Sequence, residues 1–293
     1  MGFLPAGSGR LYVREKGAGP PIVVLHGGPD FDSAYLLPEL DRLTEWFRVI
    51  FYDQLGRGRS APGVRPDQVS VESELEDLER VRRHAGLESI AVLGHSWGAV
   101  LALEYAARHA QRLTHLILMN PAPTSHQDAR SFRDHLRRTR PASDADAMQA
   151  LAASDRFRAG HLDIEREYYR LHYRLTLDRP ELLDMLLPRL RANFTPERVL
   201  LARAIEQRLY DQTWSSPDYD LFPSMRRLAV PALVLRGEKD LVPVEVAAHV
   251  ADAITTAQLV TLPRCGHFAY LEAPAAVAQQ IRKFIIATEP PTT

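Results

Sequence analysis

The chain has 293 residues, of which 45% are apolar and 25% charged, so its composition is that of a globular protein rather than a disordered or fibrous one. Its 36 basic and 37 acidic residues leave a formal net charge of −1. No overall field therefore attracts nucleic acid or an anionic membrane. The length favours one large domain with an insertion over several independent domains.

Cysteine content and hydropathy indicate where the protein works. Cys265 is the only cysteine, so no disulfide can form within the chain, which fits a reducing compartment. No apolar stretch approaches the roughly 18 to 20 residues that a membrane span requires. Residues 1–10 contain no apolar core of a signal peptide. We therefore expect a cytoplasmic protein with no membrane partner.

The first part of the chain alternates short apolar runs with segments of helical period, which is the pattern of a mostly parallel α/β sheet. Between the runs lie amphipathic segments such as 70–84, where Ser70 is placed to cap a helix. Strands are predicted at residues 11–15, 22–25, 48–52, 89–93 and 113–119.

The pattern changes at about residue 122. From there to residue 225 the sequence is helical, rich in arginine and interspersed with aromatic residues, and it holds no strand-like run. Alternation then resumes, with strands predicted at 232–236 and 258–262 and helices at 244–254 and 275–288. We therefore predict a core domain of residues 1–122 and 226–293, interrupted by a helical cap, or lid, at residues 123–225.

The strongest local signal is Gly-His-Ser-Trp-Gly at residues 94–98, between an apolar strand and the helical segment 99–109. A strand–turn–helix setting is what a G-x-S-x-G nucleophile elbow requires. The two glycines permit a tight turn that leaves the Ser96 hydroxyl exposed. The N-terminus of the helix also supplies backbone N–H groups for developing negative charge. Ser96 is the predicted nucleophile.

A nucleophilic serine needs a base, and the base needs an acid that orients it. Asp240 follows the strand predicted at 232–236, and His267 follows the strand predicted at 258–262. In this arrangement the acid precedes the histidine, and each lies in a loop after a later strand. Glu238, two residues before Asp240, is the weaker candidate and is expected to close the turn.

Acyl transfer also needs N–H donors for the tetrahedral oxyanion. The backbone N–H of Trp97, directly after the nucleophile, is one predicted donor. The second is Gly28, in the His-Gly-Gly-Pro loop that follows the strand at 22–25, because a residue without a side chain lets the backbone approach the substrate. His26 in the same loop is expected to hold the loop in place.

The sequence gives little support for a dinucleotide, nucleotide-phosphate or metal site. Residues 56–61 fit G-x-G-x-x-A formally, but Pro62 and Gly63 follow where a dinucleotide site needs a helix. The sequence has no P-loop lysine pattern, no H-E-x-x-H and no cluster with metal-ligand spacing. We therefore expect no cofactor and no metal, and a small molecule or short peptide as substrate.

Three motifs together resemble the α/β-hydrolase fold, and within it the proline iminopeptidases and the related tricorn-interacting aminopeptidases. They are His-Gly-Gly-Pro at 26–29, Asp-Gln-Leu-Gly-Arg-Gly-Arg-Ser at 53–60 and Gly-His-Ser-Trp-Gly at 94–98. The resemblance implies a mostly parallel eight-stranded sheet flanked by helices, with a helical cap. It also implies a cofactor-free serine hydrolase that removes N-terminal residues, proline among them, from short peptides. The family's serine, acid and histidine correspond to Ser96, Asp240 and His267.

An aminopeptidase of this kind has to bind a free amine. A buried ammonium without a carboxylate is costly to desolvate, so acids are expected near the substrate. Asp30, which stands where the family usually has glycine, is one candidate, although a solvent-facing Asp30 is the other interpretation. Glu206 and Asp211 are the candidates in the cap.

Cap aromatics, including Tyr168 and Trp214, are candidates for the wall of a proline-sized pocket. Two alternatives stay open. The same triad serves a carboxylesterase, a lactonase or a small-amide hydrolase, and a hydrolase scaffold also serves a non-catalytic binding protein. The sequence gives no prediction of oligomeric state.

Overall fold

Eight strands form one sheet in the computed structural model, which describes residues 1–7 and 9–288. The strands are β1 (Gly2–Ala6), β2 (Gly9–Lys16), β3 (Pro21–Leu25), β4 (Arg48–Tyr52), β5 (Ile90–His95), β6 (Leu113–Met119), β7 (Ala232–Gly237) and β8 (Ala257–Leu262). Their order across the sheet is β1-β2-β4-β3-β5-β6-β7-β8. The pairs β1–β2 and β2–β4 are antiparallel and the others are parallel, which confirms the predicted mostly parallel eight-stranded sheet.

Helices account for most of the remaining chain. The α-helices are α1 (Val71–His84), α2 (Trp97–His109), α3 (His126–Thr139), α4 (Ala142–Ala153), α5 (Asp155–Arg158), α6 (Leu162–Tyr173), α7 (Leu183–Leu190), α8 (Pro196–Gln212), α9 (Phe222–Met225), α10 (Val244–Ala253), α11 (Ala269–Glu272) and α12 (Pro274–Thr288). As predicted, Ser70 caps α1, because its side chain accepts a hydrogen bond from the backbone N–H of Ser73.

Between β6 and β7 the chain forms helices α3 to α9 and no strand, apart from an isolated pairing of Ser125 with Asp220. We call residues 123–225 the helical segment. The division into a core domain of residues 1–122 and 226–293 and a cap of residues 123–225 stays a prediction.

The central strands are apolar on both faces because both faces are covered. In β3, Val23 and Leu25 belong to the apolar cluster that includes α1 and α2, whereas Ile22 and Val24 belong to the cluster that includes α12. All four side chains are at most 1% exposed. Burial of each such side chain stabilises the fold by roughly 1.5–3 kcal/mol. These contacts fix the sheet on which the loops of the site are mounted.

Strand β1 is an element that the sequence pattern did not predict. It pairs antiparallel with β2 at the edge of the sheet, where Pro5 lies opposite Arg10. Proline lacks an N–H donor and is tolerated at a sheet edge. Because only one side of such a strand is paired and most of its residues are exposed, its sequence shows no apolar run.

The position of a ligand site follows from the strand order. Strands β3 and β5 are neighbours at the centre of the sheet. The chain leaves β3 toward β4 on one side and leaves β5 toward β6 on the other side, so the two connections diverge. In open α/β sheets, ligands bind in the crevice at the carboxyl ends of the strands where this divergence occurs. Gly28 follows β3 and Ser96 follows β5, so both predicted catalytic loops lie at this crevice.

Close backbone contacts at the start of α2 explain the two glycines beside Ser96. A Cβ atom on Gly94 would lie 2.2 Å from the carbonyl oxygen of Gly98, and one on Gly98 would lie 2.3 Å from that of Leu25. Ser96 between them has φ 55° and ψ −117°, a conformation that L-residues rarely adopt. Packing of α2 against β3 and β5 therefore holds the strained serine in place.

Among the helices of the described residues, none has the length and apolar character needed to cross a membrane. A cytoplasmic location stays a prediction.

We expect Gly98→Ala to lower the free energy of unfolding by at least about 2 kcal/mol, because the added methyl group meets backbone atoms that cannot move aside. Gly2→Ala is the matched control, since a Cβ there has no atom within 4 Å, and should change stability by less than about 0.5 kcal/mol. Urea unfolding measures both. Equal stability of the two variants would contradict the packing account.

Candidate active site

Ser96, His267 and Asp240 come from three separate loops, and His267 lies within hydrogen-bond distance of both other side chains. His267 Nε2 is 3.0 Å from Ser96 Oγ, and His267 Nδ1 is 2.7 Å from Asp240 Oδ1. Asp240 follows β7 and His267 follows β8, so the parallel strands bring the two loops to the same edge of the sheet. This is the geometry of a nucleophile, a base and an orienting acid.

Asp240 is buried and held by more than the histidine. Asn120 Nδ2 donates to its Oδ2 at 2.7 Å, and the backbone N–H of Val242 donates to its Oδ1 at 3.0 Å. Burial on its own would raise the pKa of Asp240, but His267 and these hydrogen bonds outweigh it, so the pKa lies below its usual value. The carboxylate therefore stays ionised beside the imidazole.

The backbone N–H groups of the two predicted oxyanion donors have no acceptor among the described residues. Trp97 is the first residue of α2, so its N–H has no intrahelical acceptor. The N–H of Gly28 has no backbone or side-chain acceptor within the part of the chain that the structure describes. Gly28 has φ +122°, and a Cβ there would lie 2.3 Å from the nitrogen of Asp30, so this position requires glycine.

A buried hydrogen-bond chain joins the Gly28 loop to the histidine loop. His95 Nε2 is 3.0 Å from the carbonyl oxygen of His267, and because a carbonyl only accepts, Nε2 carries the proton. His95 Nδ1 then accepts from the hydroxyl of Tyr35 at 2.7 Å, and that hydroxyl accepts from the N–H of Gly27 at 2.8 Å. Burial, with a smaller effect of His267, lowers the pKa of His95 to about 3, so the ring stays neutral. Sequence reasoning did not find this chain.

His26 holds the loop after β3 against the loop after β4. Its Nε2 accepts from the backbone N–H of Gln54 at 3.0 Å, and its carbonyl oxygen accepts from Gln54 Nε2 at 2.9 Å. Burial and the charge of Arg57 lower the pKa of His26 to about 4. The neutral ring is fully buried away from the crevice and holds this loop in place.

The solvent-facing position considered for Asp30 is wrong, whereas its role as an amine anchor stays a prediction. Asp30 is 2% exposed, so it does not face solvent, and its carboxylate is bound by Arg191 of the helical segment. Arg191 also donates to the backbone carbonyl of Asp30, and the hydroxyl of Tyr169 donates to Asp30 Oδ2 at 2.8 Å. This ion pair spans 161 sequence positions, and no local signal predicts it. Asp30 thus fastens the Gly28 loop to the helical segment.

The other predicted substrate-binding residues differ in how close they lie to the cavity. Glu206 is half-buried on α8, and its Oε1 accepts from the hydroxyl of Tyr210 at 3.0 Å. Asp211 is exposed and is bound by Gln207, so it lies away from the crevice. Tyr168 packs against Phe157 behind the wall of the site.

A cavity of about 270 Å³ connects these features. The predicted nucleophile Ser96 and the predicted base His267 line it together with Gly28 and Trp214. Its other lining residues come mostly from the helical segment: Ala122, Ala129, Phe132, Arg133, Leu136, His172, Tyr173, Tyr210, Ser215, Leu241 and Val242. The helical segment therefore forms most of the surface that a substrate would touch. Within residues 1–7 and 9–288, no group of three or more His, Cys, Asp or Glu side chains could hold a metal ion.

Comparison with known proteins agrees with the fold described above. A proline iminopeptidase of Saccharolobus solfataricus is 28% identical over 285 residues, which covers 94% of this chain and 87% of the relative. The structure resembles that of a proline iminopeptidase-related protein from Thermus thermophilus, with a TM-score of 0.70, 27% identity and coverage of 98% and 97% of the two chains.

Esterase-type proteins share the fold as well. Est816, described as an N-acyl homoserine lactone degrading enzyme, matches with a TM-score of 0.71 and 20% identity, over 97% of this chain and all of the other. The profile of the alpha/beta hydrolase fold family matches residues 20–274. The chain therefore belongs to the α/β-hydrolase fold family.

Proposed function

We propose that this protein is a serine aminopeptidase that releases N-terminal proline or a small apolar residue from short peptides through an acyl-enzyme. The observation that carries the proposal is the combination of a complete Ser96–His267–Asp240 arrangement with a half-buried carboxylate, Glu206, that lacks a cationic partner among the described residues. The first feature supports acyl transfer, and the second supports recognition of a free amine.

In the first half of the reaction, Ser96 Oγ attacks the carbonyl carbon of the scissile amide while His267 Nε2 takes the hydroxyl proton. The N–H groups of Gly28 and Trp97 stabilise the oxyanion. His267 then gives its proton to the leaving nitrogen, the C–N bond breaks, and the shortened peptide departs.

In the second half, a water molecule attacks the acyl carbon of the ester on Ser96 while His267 takes one of its protons. The tetrahedral species collapses, the bond to Ser96 Oγ breaks, and the proton returns from His267 to that oxygen. The free amino acid leaves, and the resting enzyme is restored. Asp240 keeps the imidazole in the required tautomer and stabilises its charged form in both halves.

Charge pairing around the cavity supports a substrate with a positive amine. Arg191 forms ion pairs with Asp30 and with Glu165. Arg203 forms an ion pair with the other carboxylate oxygen of Glu165. These two arginines are matched by two carboxylates. Glu206 is a third carboxylate of the same region, and no cation lies within salt-bridge distance of it in the described residues.

The environment of Glu206 indicates that its carboxyl would be stabilised by a cation. Burial, and next the charge of Asp30, raise the pKa of Glu206 to about 8. A carboxyl in this position gains when a cation arrives, because the cation offsets both the desolvation and the repulsion. Glu206 does not line the cavity, but Tyr210 does, and its hydroxyl donates to Glu206. A substrate ammonium beside Tyr210 would therefore lie near this carboxyl and complete the pairing.

The cavity walls fit a small apolar residue next to that amine. Tyr210 and Trp214 stack with ring centroids 4.7 Å apart, and both line the cavity together with Tyr173. A volume of about 270 Å³ is below the roughly 300–1,000 Å³ common for drug-sized ligands, so the site suits a small substrate. We further propose that the helical segment acts as the cap that closes this site.

A carboxylesterase or lactonase is the second candidate. It is favoured by the apolar wall on the other side of the triad, where Leu241 and Val242 follow Asp240, together with Ala129 and Leu136. These side chains offer no partner for an amine. The substrate amine therefore separates the two candidates.

We expect proline p-nitroanilide to be hydrolysed and its N-acetylated form to be cleaved at least about tenfold more slowly, because blocking removes the charge that Glu206 binds. The measurement is kcat/KM for both anilides and for p-nitrophenyl acetate on the purified protein. Ser96→Ala is the control and should abolish all turnover. Hydrolysis of the acetate with both anilides inert would contradict the aminopeptidase proposal and favour the esterase.

We expect the ratio of kcat/KM for proline p-nitroanilide to that for p-nitrophenyl acetate to rise from roughly pH 6 to a maximum near pH 8, above which the substrate amine, with an ordinary pKa of about 8, loses its own charge. Because the pKa of Glu206 is raised to about 8, its carboxyl is mostly neutral at the acidic end of this range and ionises as the pH rises. The titration of the triad affects both substrates and cancels in the ratio.

Glu206→Gln should flatten this rise and lower kcat/KM for the anilide by about 10- to 100-fold, with little change for the acetate. Asp211→Asn, on the same helix but exposed, is the matched control and should behave as the unaltered enzyme. An unchanged pH profile in Glu206→Gln would remove Glu206 from amine recognition.

A further inference from the structure

We infer that the cavity also binds the carboxylate of the leaving residue, through the guanidinium of Arg133 and the neutral imidazole of His172, so that dipeptides with a free C-terminus are the preferred substrates. This inference rests on the proposed aminopeptidase function. It concerns the side of the cavity that the amine does not occupy.

Arg133 is a cation at the cavity without a carboxylate of its own among the described residues. It lies on α3 and lines the cavity that contains Ser96. Its guanidinium makes no hydrogen bond and no ion pair with any residue in the ranges that the structure describes. By contrast, Arg137, one turn further along α3, is bound by Asp134. Arg133 is an exposed residue at the edge of the cavity, and its charge is free for a ligand.

His172 on α6 supplies a second donor whose protonation state is fixed. The guanidinium of Arg140 donates to His172 Nδ1 at 3.1 Å, and a guanidinium cannot accept, so Nδ1 carries no proton. Burial, with the charge of Arg140 next, lowers the pKa of His172 to about 3. The ring is therefore the neutral tautomer with its proton on Nε2.

The direction of this N–H follows from the two cavities that share the ring. Arg140 and Asp240 line a smaller cavity of about 130 Å³ that meets the larger one at His172, Leu136 and Leu241. Arg140 approaches Nδ1 from the side of the smaller cavity. The Nε2–H bond of an imidazole points away from Nδ1, and no protein acceptor for it occurs among the described residues, so this donor is left for a ligand in the larger cavity.

Charge is thus distributed asymmetrically across the site. The carboxylate without a cation, Glu206, lies behind Tyr210 on α8, whereas the cation without a carboxylate, Arg133, lies on α3. A zwitterion with an ammonium at one end and a carboxylate at the other complements both. Ser96 at the floor of the same cavity would attack the amide bond between them.

The position of Arg133 decides which zwitterion we expect to be preferred. With the amine at Tyr210 and the amide at Ser96, we expect the carboxylate of the residue that follows the amide to meet Arg133, which lines the same cavity. A tripeptide places its carboxylate one residue further from the amide, so we expect a weaker contact with Arg133. Phe132 and Leu136, which lie on α3 beside Arg133, give the side chain of the leaving residue an apolar surface.

The test compares prolyl-leucine, its C-terminal amide and prolyl-leucyl-glycine by kcat/KM. We expect the free dipeptide to be preferred over the amide by at least about fivefold, the size of one charge-assisted contact at a partly solvated site. Arg133→Gln should bring this ratio to near one while the amide is cleaved as before. His172→Phe should lower the same ratio. Arg130→Gln, also on α3 but outside the cavity lining, is the matched control and should keep the preference.

Two outcomes would overturn the inference, and they can be told apart from failure of the proposed function. If the amide or the tripeptide is cleaved as well as the dipeptide, the aminopeptidase stands and carboxylate recognition falls. If the dipeptide is preferred but Arg133→Gln keeps the preference, Arg133 is not the carboxylate site. If all three peptides and proline p-nitroanilide are inert, the proposed function fails and this inference fails with it.

Discussion

The close approach of helix α2 to strands β3 and β5 is the constraint on which the site depends. It holds Ser96 at φ 55°, in a conformation that costs of order 1–3 kcal/mol when it is not enforced by its surroundings. Without Cβ atoms, Gly94 and Gly98 let three backbone segments meet at distances that any other residue would prevent. Trp97 begins α2 directly after Ser96, so one packing arrangement fixes the positions of the predicted nucleophile and of one predicted oxyanion donor.

Two buried networks hold the other loops of the site in position relative to Ser96. The neutral chain through Tyr35 and His95 joins the backbone of Gly27 to the carbonyl of His267, so the oxyanion loop and the base are held at a fixed separation. The charged pair of Asp30 and Arg191 fastens the same oxyanion loop to the helical segment. Breaking a buried pair of this kind typically costs about 3–5 kcal/mol, because it leaves an uncompensated charge.

Much of the core could be predicted from the sequence, and so could the three side chains that the structure brings together, Ser96, His267 and Asp240, because they rest on local patterns. Apolar runs mark β3 to β8, and the glycines around Ser96 mark the elbow. Asp240 and His267 were found because each follows a recognisable strand. The edge strand β1 escaped prediction, since pairing on one side leaves no apolar run.

What the sequence could not provide are contacts between distant parts of the chain. The partner of Asp30 lies 161 positions away, and the tautomer of His172 depends on an arginine of another helix. The candidates Glu206 and Asp211 lie five positions apart on one helix and look alike in the sequence. Only packing separates them, because the first is half-buried against Tyr210 and the second is exposed.

The central claim is that Ser96 is a nucleophile in a pocket that recognises a free amine. The most direct test is the rate at which a fluorophosphonate probe modifies the protein, followed by intact mass, with prolinamide or N-acetylprolinamide as competitor. The account predicts one adduct that is absent in Ser96→Ala, and labelling that prolinamide slows while the acetylated compound does not. No adduct on Ser96, or equal protection by both compounds, would contradict it.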